Sequence, residues 1–269
     1  MSSNPLMVDL FCGLGGWAEG GLAEGYNVIG FDIERHAYGG HRYPAQMVVQ
    51  DVLTLHGSQF KDAALIVASP PCQKYSYMAM PWKLAKAQAA AIRADTTGEA
   101  LIDLNRLFDA CFRIQKEASI AAGRHIPMVV ENVRGAIPWV GRSRWAFGSF
   151  HLWGDVPALM PIAFKAVKVG GFSWSDFGKD GYKARAFNGT AERNMKEASG
   201  QKLPGNNAPR MWSERRMQRL ADAKRYDEDA FYCGSSGGKA RKAASAMIAK
   251  IPLPLSRHIA ATYRPTGFL

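Results

Sequence analysis

Hydrophobic residues in the first 140 positions fall into short runs separated by polar or helix-spaced stretches. "LMVDLF" (Leu6–Phe11) reads as a buried strand, "GLGGWAEGGLAEG" as a glycine-rich turn entering a short helix, and "YNVIGFDI" as a second strand. "QMVVQDV" ends a third strand, "AALIVAS" forms a fourth and "IPMVVENV" a fifth. Between the last two, a long helix is predicted from about Gly98 to Gly123. Leu101, Leu104, Phe108, Cys111 and Gln115 recur there at intervals of three and four, all but the last apolar. Short apolar strands alternating with helices predict a parallel, doubly wound α/β sheet. Ligands of such sheets bind beyond the carboxyl ends of the strands. Phe11–Gly16, Asp32, Asp51, Pro71–Cys72 and Glu131–Asn132 are all expected on that edge.

The pattern breaks down from Val156 to Cys233, where Gly, Asn, Pro, Lys and Arg mix with aromatics and only "MWSERRMQRLADA" looks helical. The tail, "KARKAASAMIAKIPLPLSRHIAATY", regains helical character, with Pro252 and Pro254 opening its last helix. The expected organisation is a catalytic and cofactor-binding core over 1–155, an irregular substrate-recognition region over 156–233, and a C-terminal segment over 234–269 that completes the core. No internal repeat or low-complexity tract is evident.

Composition narrows the class. A chain of 269 residues that is 47% hydrophobic can bury a substantial core. No apolar run reaches the length of a membrane span, and the N-terminus lacks the basic and apolar regions of a signal peptide. Cys12, Cys72, Cys111 and Cys233 are scattered without a CxxC pair, which argues against a zinc site and a disulfide scaffold and fits a reducing cytoplasm. The formal net charge is +11, and most of the excess lies between Lys165 and Lys250, where 18 basic residues face 9 acidic ones. Positive charge concentrated in this way is the footprint of a protein that binds a polyanion, nucleic acid above all. A merely soluble basic surface is the plainer alternative.

Two constellations carry chemistry. "DLFCGLGG" follows a strand and opens a helix, with Asp32 at the end of the next strand. Glycines let a ligand approach the backbone and a carboxylate at that place accepts from a ribose diol, so the pair marks a nucleoside-containing cofactor. An unliganded turn remains the alternative. The second is "SPPCQKYS". Pro70 and Pro71 stop a buried strand and present Cys72 at the ligand edge, where a thiolate is a strong nucleophile. A lone cysteine is otherwise often a small buried hydrophobe. Glu131, ending a strand on the same edge in "VVENV", offers the thiol an acid partner.

With these motifs the chain resembles the DNA cytosine-5 methyltransferases, particularly the short phage-type ones. "DLFCGLGG", "FDIE", "QDV", "PPCQKYS" and "ENV" look like the family's motifs in order and spacing, over roughly residues 7–145. The resemblance implies a doubly wound, Rossmann-like S-adenosylmethionine-dependent methyltransferase core with a small target-recognition region. It places Phe11 against the donor's adenine and Gly13, Leu14, Gly15 and Gly16 near its methionine part. Asp32 would hold the ribose hydroxyls, Ile33 would pack on adenine and Asp51 would accept from the adenine amino group. Asp9, Val52 and Pro70 complete the implied donor site. Cys72 would attack C6 of a flipped-out cytosine while protonated Glu131 bonds N3, and C5, made nucleophilic, would take the methyl group. "GRSRWAF" offers Arg144 for the cytosine carbonyl oxygen and Arg142 for orientation or phosphate, although Val140 stands where the family's glutamine usually precedes them. A solvated basic turn is the other reading of that segment. Gln73, Lys74 and Ser76, in a segment like the family's mobile catalytic loop, would contact the DNA backbone; Tyr75 or Trp82 could instead be core. The implied partner is double-stranded DNA, met by a monomer without metal or membrane, in the cytoplasm of a bacterial host or a phage-infected cell.

The tail departs from the family. Its last motif usually runs Gly-Asn-Ser/Ala-Val-Pro-x-Pro-Leu, whereas this chain has "IAKIPLPL": Pro252, Pro254 and Leu255 align, and Ile248, Ala249 and Lys250 replace the first three. A lysine beside a sulfonium is unexpected, because like charges repel. Lys250 points away, or the alignment slips, or the lysine pairs with an added carboxylate on the donor. Carboxy-S-adenosylmethionine would supply that charge and yield 5-carboxymethylcytosine. A tRNA methyltransferase shares the motifs, but the basic insert carries no RNA-module signature, so DNA is preferred. An oxidoreductase is disfavoured by the missing GxGxxG and by the Cys–Glu pair, and a catalytically inactive DNA-binding protein by the intact Cys72, Glu131 and Arg144.

Overall fold

The computed structural model describes residues 4–38, 40–76, 82–147, 150–160, 246 and 249–265, with the side chains of Trp82 and Phe147 excepted. Most of the expected recognition region and the helix expected in "MWSERRMQRLADA" lie outside the described residues. Two compact units divide the chain: residues 1–37, 42–165 and 251–269 form the first, and 38–41 with 166–250 the second. Of the second unit, little beyond Tyr38, His41 and Lys250 is described.

The described residues form β1 (Leu6–Leu10), α1 (Gly16–Ala23), β2 (Asn27–Asp32), β3 (Ala37–Tyr38), β4 (His41–Arg42), β5 (Gln46–Val49), β6 (Ala63–Ala68), α2 (Trp82–Ala94), α3 (Glu99–Ala122), β7 (Met128–Asn132), α4 (Ile137–Val140), β8 (Trp145–Phe147), β9 (Phe150–Gly154) and α5 (Leu253–Tyr263). Seven strands make one sheet in the order β5-β2-β1-β6-β7-β9-β8, while the two-residue strands β3 and β4 pair apart from it. The pairs from β5 to β7 are parallel. The chain runs outward from β1 in one direction through β2 and β5, then returns to lay β6 and β7 on the other side. That reversal between β1 and β6 opens the crevice in which doubly wound sheets bind ligands.

Burial explains why these segments are strands. All six residues of "AALIVA" in β6 and all five of "MVVEN" in β7 are buried, as expected of strands covered on both faces. One face packs Val8, Leu10, Ile66, Met128 and Val130 against Leu104, Phe108, Cys111 and Ile114 of α3. The other packs Met7, Leu65, Val67 and Val129 against Trp17 of α1 and Leu255 and Ile259 of α5. The C-terminal helix therefore belongs to the same core as the first strand. Tyr26 Oη donates to Ala260 O at 2.9 Å, and Gly20 leaves no room for a side chain against the backbone of Ser256.

Several expectations are met closely and others need correction. Helix α3 is bounded by Gly98 and Gly123, both left-handed, as the sequence predicts. Its buried stripe runs through Leu104, Phe108, Cys111, Ile114 and Ala118, whereas Leu101 is 38% exposed and Gln115 turns its amide to Ile126 O and Asp155 Oδ2. The all-parallel expectation fails at one edge, where β9 pairs antiparallel with both β7 and β8. Helix α5 starts after Pro252 with Pro254 in its first turn, as expected.

Candidate active site

The glycine turn after β1 is shaped by backbone geometry before any ligand is considered. Phe11 is held at φ +56°, a conformation rare for a bulky residue and a mark of a site where surrounding structure imposes strain. Gly13 at φ +49° and Gly15 at φ +78° complete the turn, and Gly15 caps α1. Asp32, at the end of β2, ties the turn down: its Oδ2 accepts from Gly13 N at 2.9 Å and its Oδ1 from Ile33 N at 2.8 Å. A methyl group at Gly13 would meet nothing within 4 Å, so open space lies over this turn. A methyl at Gly16, by contrast, would run into the backbone of Ile251.

Ile33 is 69% exposed beside Asp32, an apolar surface at the ligand edge. Asp51 caps the short 3₁₀ turn after β5, accepting from Leu53 N at 2.9 Å. The side chains of Leu14 and Val52 are buried in the core, so only their backbones are offered to the edge. Asp9 is fully buried, with its Oδ2 accepting from Tyr43 Oη at 3.2 Å, and burial holds its carboxyl well above the usual range. These residues fit a nucleoside-bearing donor: an open glycine cradle, a strand-end carboxylate and an exposed apolar platform.

Cys72 and Glu131 lie at the ends of β6 and β7. Cys72 sits half-buried in a turn in which its carbonyl accepts from Tyr75 N and Ser76 N, both at 2.9 Å. Buried Asn132 clamps that turn, its Nδ2 donating to Pro70 O at 2.9 Å while its Oδ1 accepts from Val133 N. Glu131 is 8% exposed, and burial pushes its carboxyl up to about 8, against a hydrogen bond from Ser69 that favours the charged form. The Cys72 thiol is also held above its ordinary value, by burial first and then by the charge of Glu131. The two groups therefore feel one another electrostatically, and below about pH 8 both carry their protons.

The remaining predicted residues are distributed as follows. Gln73 is exposed, Ser76 half-buried, and Lys74 forms a 2.8 Å ion pair with Asp103 of α3. Tyr75 is buried, its hydroxyl 3.0 Å from Asn105 Oδ1, so of the two readings of that side chain the core one holds. Arg142 and Arg144 are exposed, and Arg144 N donates to Leu152 O, the β9 residue opposite Glu131. Lys250 belongs to the second unit; Ile251, which follows it, belongs to the first.

Sequence reasoning missed four residues here. Tyr43 covers Gly15 and Gly30 and bonds Asp9. His36 places Nε2 3.6 Å from Asp32 Oδ1 and Nδ1 3.6 Å from Glu34 Oε1. Trp17 Nε1 donates to Ser69 Oγ at 3.0 Å, at the residue that follows β6. The Tyr43 and Trp17 contacts leave no periodic trace, because each joins segments distant in sequence, whereas the His36 contacts are local and lie within the turn after β2.

Fold and edge together define a doubly wound, Rossmann-like α/β core with its ligand crevice at the strand ends. Residues 6–89 match the family described as C-5 cytosine-specific DNA methylase. No curated protein matches the chain. Among solved structures, a DNA modification methyltransferase encoded within a prophage of E. coli aligns at 23% identity with a TM-score of 0.33, over 50% of this chain and 33% of that one. The Dnmt2 methyltransferase of S. pombe aligns at 16% identity with a TM-score of 0.31, over 50% of this chain and 36% of that one. The matched part thus spans about a third of each, and at these scores neither neighbour bears on the site.

The raised Glu131 carboxyl has a consequence for stability. Its folded value of about 8 lies above the ordinary 4.5, so its contribution is complete below pH 4.5 and is lost as the pH rises to about 8. Glu131→Gln, which cannot ionise, is expected to gain in thermal midpoint over wild type across that interval, with a constant gap beyond it. A gap independent of pH would contradict the buried carboxyl.

Proposed function

We propose that this chain methylates C5 of cytosine in double-stranded DNA through a covalent bond between Cys72 and C6. The observation that carries the reading is the coupled Cys72–Glu131 pair beside the open glycine turn, supported by the family match over residues 6–89. S-adenosylmethionine, when bound, supplies an electrophilic methyl group on a sulfonium. Phe11, Gly13 and the backbone from Leu14 to Gly16 cradle it, Asp32 holds the ribose diol, and Ile33, Asp51 and Val52 border the adenine. Asp9 and Pro70 support that pocket from behind.

The target cytosine leaves the helical stack, since neither face of a stacked base is open to a thiol. Arg144 holds its carbonyl oxygen; Arg142, Gln73, Lys74 and Ser76 hold the DNA backbone. Lys74 does so by exchanging Asp103 for a phosphate. The thiol proton leaves to water, Cys72 Sγ bonds C6, and Glu131 keeps its proton at N3, so the electrons of the C5–C6 bond collect at C5. C5 would take the methyl group as the methyl–sulfur bond of the donor breaks and leaves its electron pair on sulfur; C5 then gives its proton to water, and the S–C6 bond breaks to restore the ring. The basic excess between Lys165 and Lys250 supplies the sequence-independent attraction to DNA.

One feature favours a second reading of the donor. Ile251 packs its backbone on Gly16 of the donor turn, and the residue before it is Lys250, where the family has an asparagine–serine corner. A lysine at that corner suits a donor with an extra carboxylate, carboxy-S-adenosylmethionine, and the product is then 5-carboxymethylcytosine. Nucleoside mass spectrometry after incubation with both donors separates the two; 5-methylcytosine alone under competition removes the second reading.

The covalent step is tested with duplexes carrying 5-fluorocytosine in a broad set of sequences. Fluorine cannot leave C5 as a proton does, so wild type is expected to give a denaturation-resistant adduct and Cys72→Ala none. No wild-type adduct on any sequence would contradict the proposal. The two raised groups also fix the pH profile. The reactive form has Cys72 ionised and Glu131 protonated, although Glu131 titrates first, so kcat/KM is expected to climb with pH to about 8 and then level off. Glu131→Gln is expected to lose about 10²–10⁴-fold in rate together with that inflection; a bend at pH 8 that survives the substitution would contradict the assignment.

A further inference from the structure

We infer that Asn105 of α3 is a positioning residue for Cys72, acting through Tyr75; this rests on the reading of Cys72 as the nucleophile. Asn105 is 8% exposed, a polar side chain within the buried stripe of α3. Such a group is costly to bury unless its hydrogen bonds are made, and both ends of its amide are used. Nδ2 donates to Trp139 O at 3.0 Å, and Oδ1 accepts from Tyr75 Oη at 3.0 Å. The direction of the amide is fixed, because a backbone carbonyl only accepts and must therefore face the NH₂ group. Oδ1 is left for the tyrosine, which must donate. Its one phenol proton lies between Oδ1 and Leu104 O, the latter at 3.2 Å.

The anchored tyrosine belongs to the turn that presents the thiol. Tyr75 N donates to Cys72 O at 2.9 Å, so the residue that α3 holds is itself bonded back to the nucleophile. The turn is also packed from a second side: a methyl at Gly135, in the turn after β7, would run into Tyr75 O. Asn132 holds the other end, at Pro70 O. Cys72 thus lies between two side-chain anchors, one from β7 and one from α3. Trp139 belongs to α4, and α4 leads through Gly141 to Arg142 and Arg144. Gly141 O in turn accepts from Trp153 Nε1 of β9 at 3.0 Å. One buried amide therefore ties the thiol turn to the segment that carries both arginines. Asn105 sets the spacing between the atom that attacks the cytosine ring and the groups that hold the cytosine and its backbone.

The test uses the full chain, S-adenosylmethionine and an excess of a 5-fluorocytosine duplex on which wild type forms the adduct, with Tyr75→Phe and Asn105→Ala beside wild type. Trapping gives two separate readings, the final fraction of protein held on DNA and the rate constant of reaching it. Tyr75→Phe keeps the packed ring and loses only the hydroxyl, so the test does not hang on Asn105→Ala folding. Both variants are expected to trap the wild-type fraction with a rate constant lower by about tenfold or more, as misplacement of a reacting group does. Affinity for DNA and donor is expected to stay within about twofold of wild type. A merely structural role would lower the trapped fraction and leave the rate constant of the folded part unchanged, and that result would overturn the positioning role. Tyr75→Phe with both the wild-type fraction and the wild-type rate constant would overturn it as well, with Cys72 still the nucleophile. If wild type itself gives no adduct on any sequence, the reading of Cys72 falls, and the positioning role with it.

Discussion

A single buried hydrogen bond, from Asn132 Nδ2 to Pro70 O, joins the two strand ends that carry the chemistry. β6 and β7 are already neighbours in a parallel ladder, but a ladder fixes strands and not the loops that leave them. The asparagine amide ties the chains two residues past the ladder and pins the proline turn. Cys72 and Glu131 are thereby held as a pair on one edge. Leaving either partner of that buried bond unsatisfied would cost about 1–3 kcal/mol, so the clamp and the pair stand or fall together.

Burial then decides the electrostatics. Glu131 belongs to a strand buried along its whole length, and desolvation alone is enough to keep it protonated around neutrality. The same low-polarity edge raises the Cys72 thiol, which rests protonated at neutral pH. Asp32 is placed differently: Gly13 N and Ile33 N donate to its side chain, which shapes the glycine turn. Acids on one sheet edge thus take two roles, set by whether backbone amides or apolar side chains surround them.

Much of this was legible in the chain itself. The five parallel strands read as apolar runs, and Gly98 and Gly123 bracket α3 because a helix end in left-handed geometry favours glycine. Cys72 and Glu131 were legible because prolines and strand ends are local signals. Helix α2 was not, since it follows directly on the loop motif and its buried face is carried by the small side chains of Ala85 and Ala89. The β8–β9 hairpin was legible and missed: Gly148-Ser149 between "WAF" and "FHLW" is a two-residue turn signal, overshadowed by the arginines of the same segment. Trp17–Ser69 and Tyr43–Asp9 left no trace, because each links positions more than thirty residues apart through one polar atom.

The central claim is that the Cys72 sulfur adds to C6 and thereby turns C5 into a nucleophile. Exchange at C5 measures this without any methyl transfer: duplex DNA is incubated with the protein in deuterium oxide and no donor, and cytosine is analysed by mass spectrometry. Addition of sulfur, deuteration at C5, loss of the original hydrogen and elimination leave one deuterium on the ring. The account predicts deuterium at C5 with wild type and none with Cys72→Ala. Equal incorporation by both proteins, or methylation by Cys72→Ala at the wild-type rate, would contradict it.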